Sequence, residues 1–460
     1  MPRYSVPGST RTGLRTGTVR GSVMSGAWEW EEANMLRHPR ERRPMLSRRD
    51  FLLRAGTTGI ALPTLGAILA ACGGGEGSAT GGGQTGGGGA GLQLARPDNP
   101  VTVPVTDENP PIEDGLDPEA GPLQVFGYND YIWKKVRNQF SERFGADVEY
   151  TVFDTPEEMV AKMQSQGSDF DIIVTVTPEN VGKLGFGALI QPLNKSYIPN
   201  FDNVWPNLQS PLYDVDSSYT IPYTVYTTGI GYRNDLVKDP SQLENPYDIL
   251  WDTAYAGQTH LLNGARDTIA AALLRMNEDV NTEDPDVLDQ AKQMLLEGVD
   301  KMNWKFDHVD YNELGSFEVH MTWSGQVSYY QYYLPKGEQI TQYSYVWPAA
   351  TNANLQGILT NDVFAIPKGA KNPVLAHKLI DFMLDPEHAI TNYSYEGFQP
   401  PIVQFHNQQA VADGIVPGNL ANTLLMPEDF DRPNAVRELE LSPAANQLWQ
   451  QIYQEVTGGV

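Results

Sequence analysis

Apolar and polar positions begin to alternate in a regular way at Leu123. Leu123-Gln124-Val125-Phe126-Gly127-Tyr128 predicts a strand running into a loop. Ile132, Val136, Phe140 and Phe144 then recur every four residues, the spacing of an amphipathic helix face. Val148 to Phe153 alternates as a second strand, Pro156 opens a helix over Glu157–Gln166, and Phe170-Asp171-Ile172-Ile173-Val174 is a short apolar strand. That β-α-β-α-β order predicts a parallel sheet with right-handed crossovers. A second series follows. Tyr219–Tyr223 and Gly229–Tyr232 predict two strands flanking a polar crossing, Asp267–Met276 and Val287–Leu296 predict helices, and Asp362–Pro367 with Pro373–Leu384 predicts a late strand and helix. No internal repeat is visible. The fold class is α/β. Ligands of open α/β sheets bind beyond the carboxyl ends of the strands, and two such lobes facing each other form a cleft that hinges shut.

Upstream of Leu123 the pattern is different. The 460 residues carry 32 Lys+Arg against 57 Asp+Glu, a net charge of −25, and one cysteine. Residues 1–71 hold eleven arginines, no lysine and five acids, a net +6 that leaves −31 on the rest. The acidic body argues against nucleic acid as a partner and is compatible with a cationic ligand. One cysteine excludes an internal disulfide framework, an iron–sulfur cluster and a cysteine-rich zinc site. Ser47-Arg48-Arg49-Asp50-Phe51-Leu52 resembles the twin-arginine export motif, with Arg48 and Arg49 as the pair. The uncharged run Ala55–Ala71 is too short for a membrane span and suits a signal peptide. It ends in Leu69-Ala70-Ala71-Cys72, which resembles a lipobox whose cysteine is diacylated. Residues 1–44 fit no part of such a signal, so Met45 is expected to be the start and 1–44 a mis-called extension, with 45–71 the signal. Gly73–Gly91 holds twelve glycines in nineteen residues, a flexible tether with a reach of about 24 Å. Seven prolines in 97–122 predict an extended, poorly ordered continuation, so that 72–122 is a lipidated tether.

From Leu123 to Pro401 the chain resembles the solute-binding proteins of ABC importers, the spermidine/putrescine-binding type. The resemblance is carried by Phe126–Ile132, by Gly167–Val174, by Ile221–Ile230 as an inter-lobe crossing, and by Leu250–Gln258. It continues in Trp323-Ser324-Gly325-Gln326, Ala365–Asn372 and Ile380–Glu387. It implies a two-lobed, type II periplasmic-binding-protein fold, each lobe a mainly parallel mixed sheet flanked by helices, with ligand in the cleft. The expected division is 123–227 plus 324–366 for lobe 1 and 228–323 plus 367–460 for lobe 2. It also implies capture of a small cationic solute outside the membrane, delivery to an ABC permease, action as a monomer, no cofactor and no catalysis.

A polyamine needs carboxylates spaced to meet its ammonium groups and aromatic faces for its methylenes and for cation–π contact. Carried over by position, the resemblance implies Tyr128, Asn129, Asp130 and Tyr131 in the first loop, then Thr177, Tyr223 and Tyr226. Asp267, Trp304, Trp323, Gln326 and Asp362 complete the set. The same residues have structural readings: Trp323 as core, Asp130 as the N-cap of a helix starting at Tyr131 or Ile132, Tyr128 and Tyr131 as packing under the loop, and Asp267 as a surface partner of a neighbouring arginine. Four positions depart from the polyamine pattern. Gly264 and Gln326 stand where acids are usual, and Val225 and Thr360 where aromatics are usual. Glu396, Asp362 and the tyrosines Tyr329, Tyr330, Tyr332 and Tyr333 could compensate. A sugar or amino-acid-like solute is the alternative cargo, and an exported carboxylate-dependent hydrolase the alternative class. The seven histidines form no helix-spaced metal pair, Gly182–Gly187 lacks P-loop spacing, and no nucleophile-elbow motif is present.

Overall fold

The computed structural model describes residues 94–129, 131–166, 169–307, 314 and 317–458. Arg48, Arg49, Cys72, the glycine tether and Asp130 lie outside the described residues. Strands β1 (Leu123–Gly127), β2 (Val148–Val152) and β3 (Ile172–Val176) run parallel, with Leu123 opposite Val148 and Val125 opposite Ile172. Helices α1 (Lys134–Phe144) and α2 (Pro156–Gln166) are their crossovers, as the apolar periodicity predicts. Val125, Ile172 and Val174 enter one core, whereas Phe126, Ile173 and Val176 enter the core on the opposite face. The alternation of β3 skips at Thr175, where pairing with β9 (Gly357–Ala365) shifts register. Thr175 takes a φ of 85° with its hydroxyl buried and unbonded, a β-branched residue in the left-handed region. Such strain costs about 1–3 kcal/mol and is retained where surrounding packing dictates the turn. Here it re-aims the end of β3 toward Thr177.

Tyr219–Tyr232 forms one strand where the sequence predicts two. β4 (Thr220–Arg233) is fourteen residues long and buried throughout. Thr220 to Thr228 pair antiparallel with β9, and Thr228 to Arg233 pair with β7 (Val319–Trp323) and β8 (Tyr343–Val346). Pro222 sits where the β4–β9 register shifts, so its missing N–H costs no regular ladder bond. β5 (Thr259–Leu261) and β6 (Lys305–Phe306) extend the sheet in parallel beyond β7. Among the described residues the path is β2-β1-β3-β9-β4-β7-β5-β6, a mixed sheet shared by two halves, with β4 and β9 common to both.

Packing corrects the expected division of the chain. Helices α4 (Ala265–Met276) and α5 (Pro285–Met302) bury Ile269, Leu273, Leu288 and Leu295 in the second half's core. α7 (Pro373–Leu384) and α8 (Pro386–Glu396) do not join them. Leu375, Leu379, Phe382 and Tyr393 pack with Val125 and Phe140 in the first half. The chain returns along β9, with Ile358 in the second core and Leu359 and Phe364 in the first. It crosses again at β10 (Ala435–Val436), before the last helix buries Trp449 and Ile452 in the second half. No local pattern marks either crossing, because a strand shared by two cores reads as one buried strand.

The proline-rich stretch also departs from expectation. Residues 94–122 pack as an arm on the first half. Val101 and Val103 are buried, the Val101 N–H donates to Leu212 O (2.7 Å), and the Tyr219 hydroxyl donates to Pro104 O (2.9 Å). The Glu119 carboxylate accepts the Val374 and Leu375 N–H groups (3.0 and 2.9 Å), capping the start of α7. Prolines supply extended backbone with few donors to satisfy, and two valines supply the anchorage.

Trp304 lies in the second half's core. A Cβ at Gly298 would lie 1.9 Å from its ring, which is buried and donates to Leu250 O (2.9 Å). Gly298→Ala is expected to lower stability by about 1–3 kcal/mol in urea unfolding while leaving ligand affinity unchanged. Lost affinity at full stability would return Trp304 to the binding site.

Candidate functional site

The site is built where β1 ends. Gly127 lets the chain pass close to Tyr150, whose oxygen would be 2.4 Å from a Cβ there, and the Tyr150 hydroxyl donates to Tyr128 O (2.9 Å). The following loop delivers Tyr131. Its hydroxyl donates to Asp362 Oδ2 (2.6 Å), in the middle of β9. Tyr226 donates to Asp362 Oδ1 (3.1 Å) and Thr224 to Oδ2 (3.4 Å), both from β4. Asp362 is thus a buried carboxylate held by three hydroxyls at the strand pair shared by both halves. Burial pushes its pKa up to about 7, and the bonds from Tyr131 and Tyr226 hold it down from a higher value. Burial is also the main reason the phenols of Tyr128, Tyr131 and Tyr226 are raised, with the Asp362 charge next.

Around this carboxylate the rings are contiguous. Tyr128 lies 6.0 Å from Tyr131, Tyr131 5.1 Å from Phe398, Phe398 5.3 Å from Tyr226, and Tyr226 6.3 Å from Trp323. Trp323 ends β7 and is half-buried between the two main cores, so it is part wall and part core. Phe398 accounts for the glycine in Trp323-Ser324-Gly325. A Cβ at Gly325 would fall 2.6 Å from the Phe398 ring, and Gly397, at a φ of 79°, ends α8 with no room for a side chain against Gly325 O.

The second half contributes Asp267, in the first turn of α4. Its carboxyl is raised well above the usual range, first by burial and then by Glu438 and Glu179, with Arg266 opposing. Arg266 itself turns toward Glu438 (3.7 Å), Leu439 O (3.1 Å) and the face of Trp449, not into a surface pair with its neighbour. A Cβ at Gly264 would stand 3.1 Å from Asp267 Oδ2, so a side chain there would crowd this carboxylate. Thr177, just before α3 (Pro178–Phe186), donates its hydroxyl to Glu179 and accepts from Asn180 (2.9 Å). The Glu179 charge acts on Tyr128, Tyr226, Asp267, Asp362 and Glu438, so all these groups face one region.

Of the expected set, Tyr128, Tyr131, Tyr226, Trp323 and Asp362 meet directly, and Tyr223 joins them by donating to Tyr131 O (2.5 Å). Asp267 and Thr177 face the same region through charge and through Glu179. Trp304 is not there; it is core, as Gly298 shows. Gln326 is buried and its Oε1 accepts from Thr322 (2.9 Å), near the end of β7. Asn129 is exposed, and Asp130 lies outside the described residues. Helix α1 starts at Lys134 with Trp133 at its N-cap, so the N-cap reading of Asp130 is corrected by position. Sequence reasoning missed Phe398, Glu179 and Glu438, which are distant in sequence and carry no motif. Among the described residues no group of three His, Cys, Asp or Glu is placed to hold a metal ion. Aromatic faces around carboxylates suit a cation with apolar spacers.

Comparison with known proteins shows a family. A family model described as bacterial extracellular solute-binding protein matches residues 135–414. The spermidine/putrescine-binding periplasmic protein of Escherichia coli (strain K12) is 28% identical over 342 residues, covering 73% of this chain and 92% of that protein. The structure of the spermidine/putrescine ABC transporter substrate-binding protein PotD from Streptococcus pneumoniae is similar with a TM-score of 0.56 at 25% identity, covering 73% of this chain and 98% of that one. The TpPotD lipoprotein of Treponema pallidum, at 21% identity and a TM-score of 0.59, shares the fold over 73% of this chain and 98% of its own. The architecture is the two-lobed type II periplasmic-binding-protein fold, with β4 and β9 joining the lobes.

The pKa of Asp362 has a consequence for stability without ligand. Its unfolded value is about 3.9 and its folded value about 7, so unfolding releases a proton between these limits. This contribution is favourable below pH 4, declines as pH rises, and has become a full penalty above pH 7. Relative to wild type, Asp362→Asn is expected to gain stability progressively from pH 4 to 7 and to level off above, measured as urea midpoints. A pH-independent difference would contradict the raised pKa.

Proposed function

Because the chain belongs to the bacterial extracellular solute-binding proteins, we propose that it captures a polyamine, putrescine or spermidine, between its lobes and delivers it to an ABC permease. The observation that carries this reading is Asp362, a buried carboxylate bonded to hydroxyls and walled by Tyr128, Tyr131, Tyr226, Phe398 and Trp323. One ammonium meets Asp362, the methylenes lie along the rings, and a second ammonium meets the acids around Asp267 and Glu179. These second acids stand in for those that Gly264 and Gln326 do not supply. The names of the relatives support the same cargo. No bond is made or broken in this role: differential affinity for the closed arrangement of the lobes is the mechanism.

The reading extends to the leader. It includes export through Arg48-Arg49, diacylation of Cys72, and a monomeric body held on the outer side of the membrane, since two acyl chains anchor stably where one does not. Cys72→Ser is then expected to move the protein from the membrane fraction to the soluble one. Unchanged membrane association would exclude the lipid anchor.

An ammonium beside Asp362 favours the ionised form, so below pH 7 binding must expel its proton. Affinity for putrescine is expected to fall by at least about tenfold per unit below pH 7, the Asp362 part of that slope to vanish in Asp362→Asn, and the same substitution to weaken binding at pH 8 by about 30-fold or more. Isothermal calorimetry with putrescine and spermidine measures both. Binding of a neutral sugar or amino acid with neither amine bound would replace the cargo, and turnover of a glycoside would replace the class.

A further inference from the structure

We infer that one face of α8 sets the pose in which Tyr131 meets Asp362, with Asn392 as the positioning residue. Asn392, Tyr395 and Glu396 are spaced i, i+3 and i+4 and share that face. Asn392 is buried with its amide engaged at both ends. Its Oδ1 accepts the Trp133 N–H (2.8 Å), and its Nδ2 donates to Tyr131 O (3.2 Å), the Tyr223 hydroxyl (3.0 Å) and Glu396 Oε1 (3.4 Å). One side chain therefore holds both ends of the stretch 131–133. Tyr223 donates to the same Tyr131 carbonyl (2.5 Å), and Tyr395 stacks on the Trp133 ring at 4.9 Å and 7°. Glu396 Oε2 accepts the Phe398 N–H (3.0 Å), so the same face also fixes the ring that packs against Tyr131.

Helix α1 needs this support. Trp133 stands at its N-cap and offers no side-chain acceptor, so the loop's exit into α1 is tied by a residue from another helix. With the backbone of Tyr131 fixed, the hydroxyl reaches Asp362 at 2.6 Å, too directional a contact to survive a shift of an ångström. The titratable groups that face Asp362 are Tyr128 and Tyr131 from the loop, Tyr213 from the turn before β4, Tyr223 and Tyr226 from β4, Glu179 from α3 and Glu396 from α8. Of these, Tyr131 and Tyr226 lower its pKa by donating to it. Loosening the Tyr131 bond therefore raises the pH below which a cation is bound weakly.

The binding arm of the test rests on the polyamine reading; the exchange arm does not. Asn392→Leu, similar in volume but without the amide, is expected to bind putrescine about tenfold more weakly at pH 8 and to move the pH midpoint of binding upward by about half a unit. In Tyr131→Phe, which has no hydroxyl to position, adding Asn392→Leu should change affinity little. In the ligand-free protein, amide hydrogen exchange over 131–133 should accelerate more in Asn392→Leu than elsewhere in the molecule. If Asn392→Leu does not fold, Tyr223→Phe, which removes the second donor to the same carbonyl and one acceptor of the Asn392 amide, must show the upward midpoint shift and the faster exchange. An unshifted midpoint with additive losses in a folded variant, or unchanged exchange over 131–133, overturns the inference. Failure of the wild type to bind either amine overturns the cargo instead, leaving the exchange result to decide the clamp.

Discussion

A carboxylate placed inside the sheet, on a strand common to both lobes, is the constraint around which this molecule is arranged. Burying Asp362 is unfavourable unless its charge is met. The protein meets it with hydroxyls from Tyr131, Tyr226 and Thr224, none of which brings a positive charge. The result is an acid poised near neutrality, satisfied as a hydrogen-bond acceptor and unsatisfied as an anion. In the proposed role a cation arriving from solution completes it. An arginine built into the fold would have completed it permanently and removed the reason to bind.

The surrounding structure follows from keeping that arrangement accessible yet rigid. β4 and β9 carry Thr224, Tyr226 and Asp362 in register, so their hydrogen bonds are fixed by the ladder and independent of loop conformation. The loop after β1 carries the third hydroxyl and needs outside support, which α8 supplies by returning to the first lobe. Small residues make the close contacts possible: Gly325 and Gly397 admit Phe398, and Gly264 leaves Asp267 its space. Asp267 and Glu179 come from opposite lobes. Their separation therefore depends on lobe position, and a ligand with two charges senses that position where a singly charged one would not.

Much of this was legible in the sequence, and the remainder fails for identifiable reasons. The crossovers α1 and α2 follow from local apolar periodicity, which tertiary contacts reinforce. Tyr131, Tyr226 and Asp362 sit in segments whose order resembles a known family, so position alone suggested them. Trp304 was misplaced because a buried tryptophan and a binding tryptophan look alike in a sequence; only Gly298 beneath its ring separates them. β4 read as two strands because the polar residues Thr224, Thr227 and Thr228 interrupt the apolar run, and only their pairing with β9, a strand more than a hundred residues away, shows that they continue one ladder. The arm over 94–122 read as tether because composition averages over Val101 and Val103. Phe398, Glu179 and Asn392 act only through partners far along the chain, which no local pattern records.

In the proposed role, ligand and proton compete for one buried carboxylate. Counting the protons released when putrescine binds tests it most directly, by calorimetry at pH 6.5 in buffers of different ionisation enthalpy. With Asp362 titrating at about 7, this carboxyl alone should release roughly three-quarters of a proton per ligand at that pH, and Asp362→Asn should lower the total by that amount, leaving only the release from the acids around Asp267. Tight binding with no proton released at pH 6.5 would contradict the account, since the carboxylate would then be either ionised already or not in contact with the cation.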